Sequence, residues 1–371
     1  MREKIVISEF NVQILIEGKV IECYDQITKN LLDSKILNYP IERVIQQKDF
    51  DNLLLIDAES NKYNLQVMLV REISHLKTNA EYILNLQMDT PNHGYYFGLY
   101  EIGEFSLKES NVNLNCNFSL KYCNTGIYIP KGIIFLSIRE SEPKQGSDNY
   151  FLYKINWLHK SGPVILWKKP ISSSIQKMLL KDDVLLLGLK NGNLQIFDLK
   201  NEEYLENLSL FQSSVSVMSE GKDKILVASC NGEVAAISRN WSIIWKTRLS
   251  KNSIYGLIEI NNSIQCIDIT GKFFLLNQKT GIIQHKEQYN LNPSIYSNAV
   301  ILRGWIILND GMGVQAINRD YKRIISYQIE GPLSDSYIRE FRSHSKGIIT
   351  GDDGGVIRLW RFGQLKLPLL P

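Results

Sequence analysis

The chain has 371 residues, 44% of them hydrophobic and 22% charged, and a formal net charge of +3. These proportions are ordinary for a globular protein, and the charge falls well short of the basic stripe that marks a dedicated nucleic-acid binder. No stretch approaches the roughly 20 uninterrupted apolar residues of a membrane-spanning helix.

The opening MREKIVISEFNVQILIEGK alternates like a strand, with its apolar run broken by Glu9, Asn11, Gln13 and Glu17. It lacks a small-residue cleavage site, so no secretory leader is expected and the location implied is cytoplasmic. The five cysteines, Cys23, Cys116, Cys123, Cys230 and Cys266, are scattered and odd in number. That pattern suits free thiols in a reducing compartment better than a disulfide framework or a zinc site.

The first clear element lies within residues 10–40, where VQILIEGKVIECYDQITKNLL reads as strand, glycine turn, strand, polar turn, strand. Residues 41–160 carry three weaker hairpins, FDNLLLIDAESNKYNLQVML, GYYFGLYEIGEFSLKES and GIIFLSIRES with NYFLYKINW. The last is interrupted by a polar insert, 139–149, that reads as an exposed loop. From 160 to 362 the pattern is clear. Gly192 precedes Leu194, Ile196 and Phe197; Gly232 precedes Val234, Ala236 and Ile237; Gly271 precedes Phe273, Leu275 and Leu276. A turn with Gly311 and Gly313 precedes Ala316 and Ile317, and Gly355 precedes Ile357, Leu359 and Trp360. The closing residues of these runs, Phe197, Ile237, Leu276, Ile317 and Trp360, lie about 40 residues apart, a period that signals a repeat architecture. Tyr24 holds the same place in the first copy.

Alternation over four to eight residues marks a strand with one buried face. Glycine beside Asn or Asp supplies the positive φ that tight hairpin turns need. A sheet of this size cannot bury both faces alone, but a ring of such sheets can. The expectation is an all-β chain. It would form one β-propeller over residues 1–371, built from four-stranded antiparallel blades. Nine hairpins are countable; about eight blades are expected, with seven or nine open. The first copy has little room for an innermost strand and the last has only GQLKLPLLP for its outermost, so terminal strands should complete a shared closing blade.

The closing GDDGGVIRLWRF resembles a WD-repeat blade, with Arg361 in place of the usual Asp. The phrases GPVILWKKPI and WSIIWKTRLS are similar to blades of quinoprotein-type (PQQ-like) propellers. The quinoprotein resemblance implies one enzymatic alternative, a channel holding a quinone with calcium. The chain lacks the vicinal Cys-Cys pair that often accompanies that cofactor.

The histidines, His75, His93, His159, His285 and His344, show no metal-ligand spacing, although a fold can bring any of them to a carboxylate. No phosphate loop or nucleophile elbow is present. The Asp352-Asp353-Gly-Gly segment reads as a turn, not a calcium loop. Lys246, Arg248 and Lys251 lie near Trp245, but WKTRLSK alternates like a strand with one solvated face, so nucleic acid is not the expected partner. No cofactor, metal or small-molecule ligand is expected. The turns joining third and fourth strands should be small and polar, yet three carry an aromatic: Trp157, Trp241 and Tyr321. On one rim of a ring these would form a patch for a protein partner. The function implied is a non-enzymatic scaffold within a larger intracellular assembly; the alternative is an enzyme or small-ligand binder using the central channel.

Overall fold

The computed structural model describes residues 2–366 apart from 8–11, 27–28, 30, 47–51, 109–110, 120–121, 131, 142–147, 159–161, 261, 290–299, 303–304, 310–312, 319–322, 329–336 and 345–346. Every regular element among the described residues is a β-strand. The strands form seven four-stranded sheets and one six-stranded sheet, all pairs antiparallel between neighbours. All nine hairpins read from the sequence are present, and they occupy eight sheets because two of them share strands.

Numbered by hairpin, repeat 1 covers residues 2–36, and repeats 3 to 8 cover 83–119, 123–171, 175–209, 215–248, 254–288 and 300–328. Repeats 2 and 9 together make the six-stranded sheet. Two long strands, Lys62–Lys77 and Val356–Lys366, run through both. Residues 70–77 form the fourth strand of repeat 9, paired from Val356↔Lys77 to Phe362↔Val70. Residues 364–366 in return cap repeat 2, paired with Met68, Val67 and Gln66. The ring is therefore closed by strands from distant parts of the chain, as the incomplete last copy required. The donated strand is the sixteen-residue Lys62–Lys77 rather than the first strand of the chain.

Packing runs from repeat 3 through each successor to repeat 9, and from 9 back to 3. Repeats 1 and 2 stack on each other and on repeat 9 in one apolar cluster that holds Ile14, Ile21, Leu53, Leu55, Trp360 and Phe362. The first strands of repeats 3 to 9 form the inner wall, and the fourth strands form the circumference.

One design recurs. Phe197, Ile237, Leu276 and Trp360 are all essentially buried. At each of them the ladder to the fourth strand slips by a β-bulge, which bends the outer strand and raises its twist. The turn glycines Gly192, Gly232, Gly271 and Gly355 all have positive φ. Their carbonyls accept the N–H of a residue one or two positions past the fourth strand: Phe211 at 3.1 Å, Leu249 at 2.8 Å, Tyr289 at 3.0 Å and Thr78 at 2.9 Å. Thr78 thus does for repeat 9 what a local residue does elsewhere. A Cβ on Gly355 would stand 1.9 Å from the Ala80 carbonyl oxygen, so no side chain fits.

The polar insert is in part regular. Arg139, Glu140 and Ser141 pair with Tyr150, Asn149 and Asp148, so the hairpin ladder continues into the segment expected as a loop. Long strands satisfy their own backbone groups, and polar residues on an exposed ladder extension cost nothing in burial.

Candidate interaction surface

Of the three rim aromatics, Trp157 is not available to an exposed patch. Trp157 ends the strand Asp148–Leu158 and its ring is only 3% exposed. It packs edge-on against Phe118 at 4.9 Å, with its indole N–H directed at Glu104 Oε2, 3.3 Å away. The strand outlasts the expected turn, and a large ring at its end gains more by joining the core between repeats 3 and 4 than by meeting water. Trp241 does lie in a turn, at φ 64°, half-buried against the cluster between repeats 5 and 6. Tyr321 lies outside the described residues.

A different apolar surface is present on the circumference. Val164, Ile165 and Leu166, then Tyr204 and Leu205, then Ile243 and Ile244, then Ile282 and Ile283 are exposed on four consecutive repeats, from 36% for Tyr204 to 65% for Ile282. Ile165, Tyr204, Ile243 and Ile283 face Ile155, Phe197, Ile237 and Leu276 across their ladders, so they occupy one repeat position. Each belongs to, or directly precedes, an outermost strand whose far edge has no β partner among the described residues. Just beyond, Trp245 turns inward: its indole N–H donates to Gln278 O at 3.1 Å, and Thr247 Oγ1 donates to Gly281 O at 3.0 Å. Trp245 is therefore a peg between repeats 6 and 7, and Lys246 beside it pairs with Glu233 at 2.9 Å.

The channel is cross-braced. A cavity of about 360 Å³ is lined by Asn85, Gln87, Lys177, Met218, Glu340 and Arg342, among others. Glu340 of repeat 9 meets Lys177 of repeat 5 at 3.1 Å and Arg342 at 3.2 Å. Arg342 also donates to Asn85 Oδ1 at 2.6 Å and Leu86 O at 2.8 Å in repeat 3. Asn85 in turn donates to Gly126 O of repeat 4 at 2.6 Å. These charges hold inner strands together across the axis.

The fold does bring histidines to carboxylates: His285 Nε2 lies 3.6 Å from Glu287 on the exposed surface, and His93 meets two carboxylates. His93 Nε2 lies 2.7 Å from Glu104 and its Nδ1 lies 3.6 Å from Asp89. Both ring nitrogens are engaged, and Glu104 also accepts from Asn115 at 3.0 Å. A general base needs a nitrogen facing substrate. Burial pushes the thiols of Cys23 and Cys123 up to about 12, so they are poor nucleophiles. Among the described residues no group of three or more His, Cys, Asp or Glu side chains converges in metal-binding geometry, and no helix is long and apolar enough to cross a membrane.

No family model matches the sequence, and no curated protein matches it. Solved structures do match in fold. The WD40 β-propeller domain of Doa1 superposes with a TM-score of 0.62 at 15% identity, covering 78% of this chain and 96% of that one. The computationally designed Ika8 protein superposes with a TM-score of 0.58 at 12% identity, covering 79% of this chain and 100% of that one. The likeness shows a β-propeller fold and nothing of its chemistry.

Proposed function

We propose that this propeller is a non-enzymatic scaffold of an intracellular assembly, and that it holds a partner protein along the outer edges of repeats 4 to 7. The observation that carries this is the recurrence of exposed apolar residues, Ile165, Tyr204, Ile243 and Ile283, at one repeat position on four consecutive edge strands. Exposed apolar edges are a liability that folded proteins ordinarily blunt with charge or proline. Keeping them on one arc makes sense where another chain covers them. The fitting occupant is an extended apolar segment that adds to the open edge of Gly162–Ile171, the longest of these strands, and lays alternate side chains on Val164 and Leu166. Trp241 adjoins the arc beside Ile243 and contributes its exposed ring edge. The quinoprotein-like phrases serve this reading through packing: their tryptophan anchors the strand whose preceding residues stay outside.

The test is affinity purification from native lysate with the wild type, with Ile165→Asp plus Leu166→Asp, and with Ile243→Asp plus Ile244→Asp. Each variant would first be matched to the wild type in near-UV circular dichroism and melting. Loss of central apolar contacts costs about 2 kcal/mol or more, roughly thirty-fold in affinity. A stoichiometric partner retained by both double variants would overturn the arc as the docking site.

A further inference from the structure

Repeats 3 to 9 bury both faces of their sheets, and their second strands show it. Residues 94–98, 134–138, 185–189, 225–229, 266–268, 305–308 and 347–352 are buried in unbroken runs. Repeats 1 and 2 bury one face only. Val12, Ile14 and Ile16 are buried, but Gln13 and Leu15 between them are only half-buried. Leu53, Leu55 and Asp57 are buried, but Leu54 and Ile56 between them are only half-buried. Yet NLLLID of repeat 2 has the consecutive apolar residues of a strand covered on both sides, as does VLLLGL of repeat 5.

The stacking direction is constant. Phe197, Ile237, Leu276, Ile317 and Trp360 each pack in the cluster shared with the preceding repeat. Leu186 and Leu226 pack in the cluster shared with the following one. Tyr24 holds the first of these positions in repeat 1, with the same bulge to its fourth strand, but its ring is half-buried. Leu54 holds the second in repeat 2, facing Asn64 across its ladder as Leu186 faces Ile196 and Leu226 faces Ala236. Repeats 1 and 2 stack on each other in the same sense, through Ile14 and Ile21 on one side and Leu53 and Leu55 on the other.

The pair therefore has two open ends. The preceding side of repeat 1 shows Leu31 and Ile36, 52% and 77% exposed, in register with Tyr24 and Val20. The following side of repeat 2 shows Ile45, 47% exposed, in register with Leu54. Charge distinguishes the two. Lys62, opposite Ile56 on the third strand of repeat 2, is exposed and has no ion pair among the described residues. On the third strand of repeat 1 the open side carries Glu22, opposite Leu15. Arg43, Arg2 and Lys4 lie on the first strands, and Glu17 meets Arg2 at 3.7 Å.

We propose that the occupant of these ends is a second copy of this chain: the following side of repeat 2 receives the preceding side of the second copy's repeat 1. Within the ring, a side of the first kind is covered by a side of the second kind, as Leu186 is covered by repeat 6 and Leu226 by repeat 7. One two-fold axis uses both ends at once. Two repeats from each copy then make a ring of four, within the range of roughly four to eight blades that propellers adopt, and closure leaves no end to propagate. The stacking sets Lys62 against the other copy's Glu22. The first-strand cations border the axis, where solvent and salt screen them. The seven-repeat rings leave through the third and fourth strands of repeat 2, on the circumference, so they stand on opposite sides of the axis. These ends share no residue with the apolar arc on repeats 4 to 7, so the two proposals stand or fall separately.

The test is sedimentation velocity of the full chain across the micromolar range, each variant first matched to the wild type in near-UV circular dichroism. The expected species has twice the 42.7 kDa of one chain. Ile36→Asp and Ile45→Asp alter exposed side chains, so the fold is not at risk; each should weaken dimerisation about ten-fold. Lys62→Glu and Glu22→Lys should each do the same by setting like charges together. An equimolar mixture of those two variants should recover the dimer, because both of its junctions again oppose unlike charges. Ile165→Asp plus Leu166→Asp, on the arc, should leave it unchanged. A monomer at every concentration would overturn the proposal and assign the open ends to another chain. A dimer indifferent to Ile36→Asp and Ile45→Asp, or a mixture no stronger than either charge variant alone, would overturn it as well.

Discussion

Repeats 5 to 7 and repeat 9 solve the same packing problem by different means. In the regular arc each turn aspartate or serine works locally. Asp268 accepts the N–H groups of Thr270 at 2.9 Å and Lys272 at 3.1 Å, and Ser229 Oγ accepts that of Glu233 at 3.0 Å. Asp352 makes the same turn, accepting from Gly354 at 2.9 Å and Val356 at 2.7 Å. It also holds Arg358 at 2.9 Å, and both side chains are 1% exposed. Burial pushes the Asp352 carboxyl up, against the pull of those N–H groups and the guanidinium. Where the regular repeats use Ile237 or Leu276, repeat 9 uses Trp360, whose indole N–H donates to Thr350 Oγ1 at 3.0 Å. The fourth strand of repeat 9 comes from far away, and closing that loop carries an entropic cost the local repeats avoid. A larger anchor and a buried ion pair stand where that cost falls.

If this contrast is right, it can be broken in graded steps. The largest effect should come from deleting residues 1–77, which strips repeat 9 of its outer strand. The chain should lose its cooperative urea transition, and a peptide spanning 62–78 should restore it; a sharp transition without the peptide would show that closure is dispensable. Next, Asp352→Ala should destabilise by about 3–5 kcal/mol, because it leaves Arg358 buried without its carboxylate. Asp268→Ala, which removes turn hydrogen bonds alone, should cost about 1 kcal/mol. Equal losses in chemical denaturation would erase the distinction between the two regions.

Glycine substitution should give a smaller gap. Gly232→Ala and Gly355→Ala both force alanine into a left-handed conformation, at about 1–2 kcal/mol. The added clash is tighter for Gly355, 1.9 Å from the Ala80 carbonyl oxygen against 2.4 Å from that of Ser250 for Gly232, so melting should fall further for Gly355→Ala. The smallest effect concerns pH. Backbone N–H groups of Asn201 and Lys200 hold the Asp198 carboxyl below its usual range. A depressed carboxyl contributes stability above its unfolded value of about 3.9 and loses it as pH falls through the folded value. Asp198→Asn should therefore flatten the acid limb of the stability profile slightly, while leaving melting near neutral pH almost unmoved.

The hairpins were legible because their information is local. Alternation, a positive-φ glycine and a fixed spacing place Phe197, Ile237, Leu276 and Trp360 without any knowledge of the ring. The exchange between Lys62–Lys77 and Val356–Lys366 was legible only as a deficit, since no local pattern says which distant strand fills it. The circumferential arc was hidden for another reason. VIL at 164–166 and II at 243–244 break the alternation because the bulge falls on Leu166 and on Ile244, and runs of consecutive apolar residues read as buried strands. Trp157 illustrates the converse, for the length of its strand decides whether its ring meets water.

The hydrogen bond from Thr78 to Gly355 spans 277 residues of chain. At translation rates of 5–20 residues per second, the segment 66–77 waits roughly 15–55 s before its partner strand 356–366 is made. Residues 62–66 can pair at once with the earlier strand Asn52–Asp57, but through that interval residues 67–77 lack the strand they will join. The ring cannot close before residues 356–366 are made, and the yield of this protein in a cell should depend on whatever shields residues 67–77 until then.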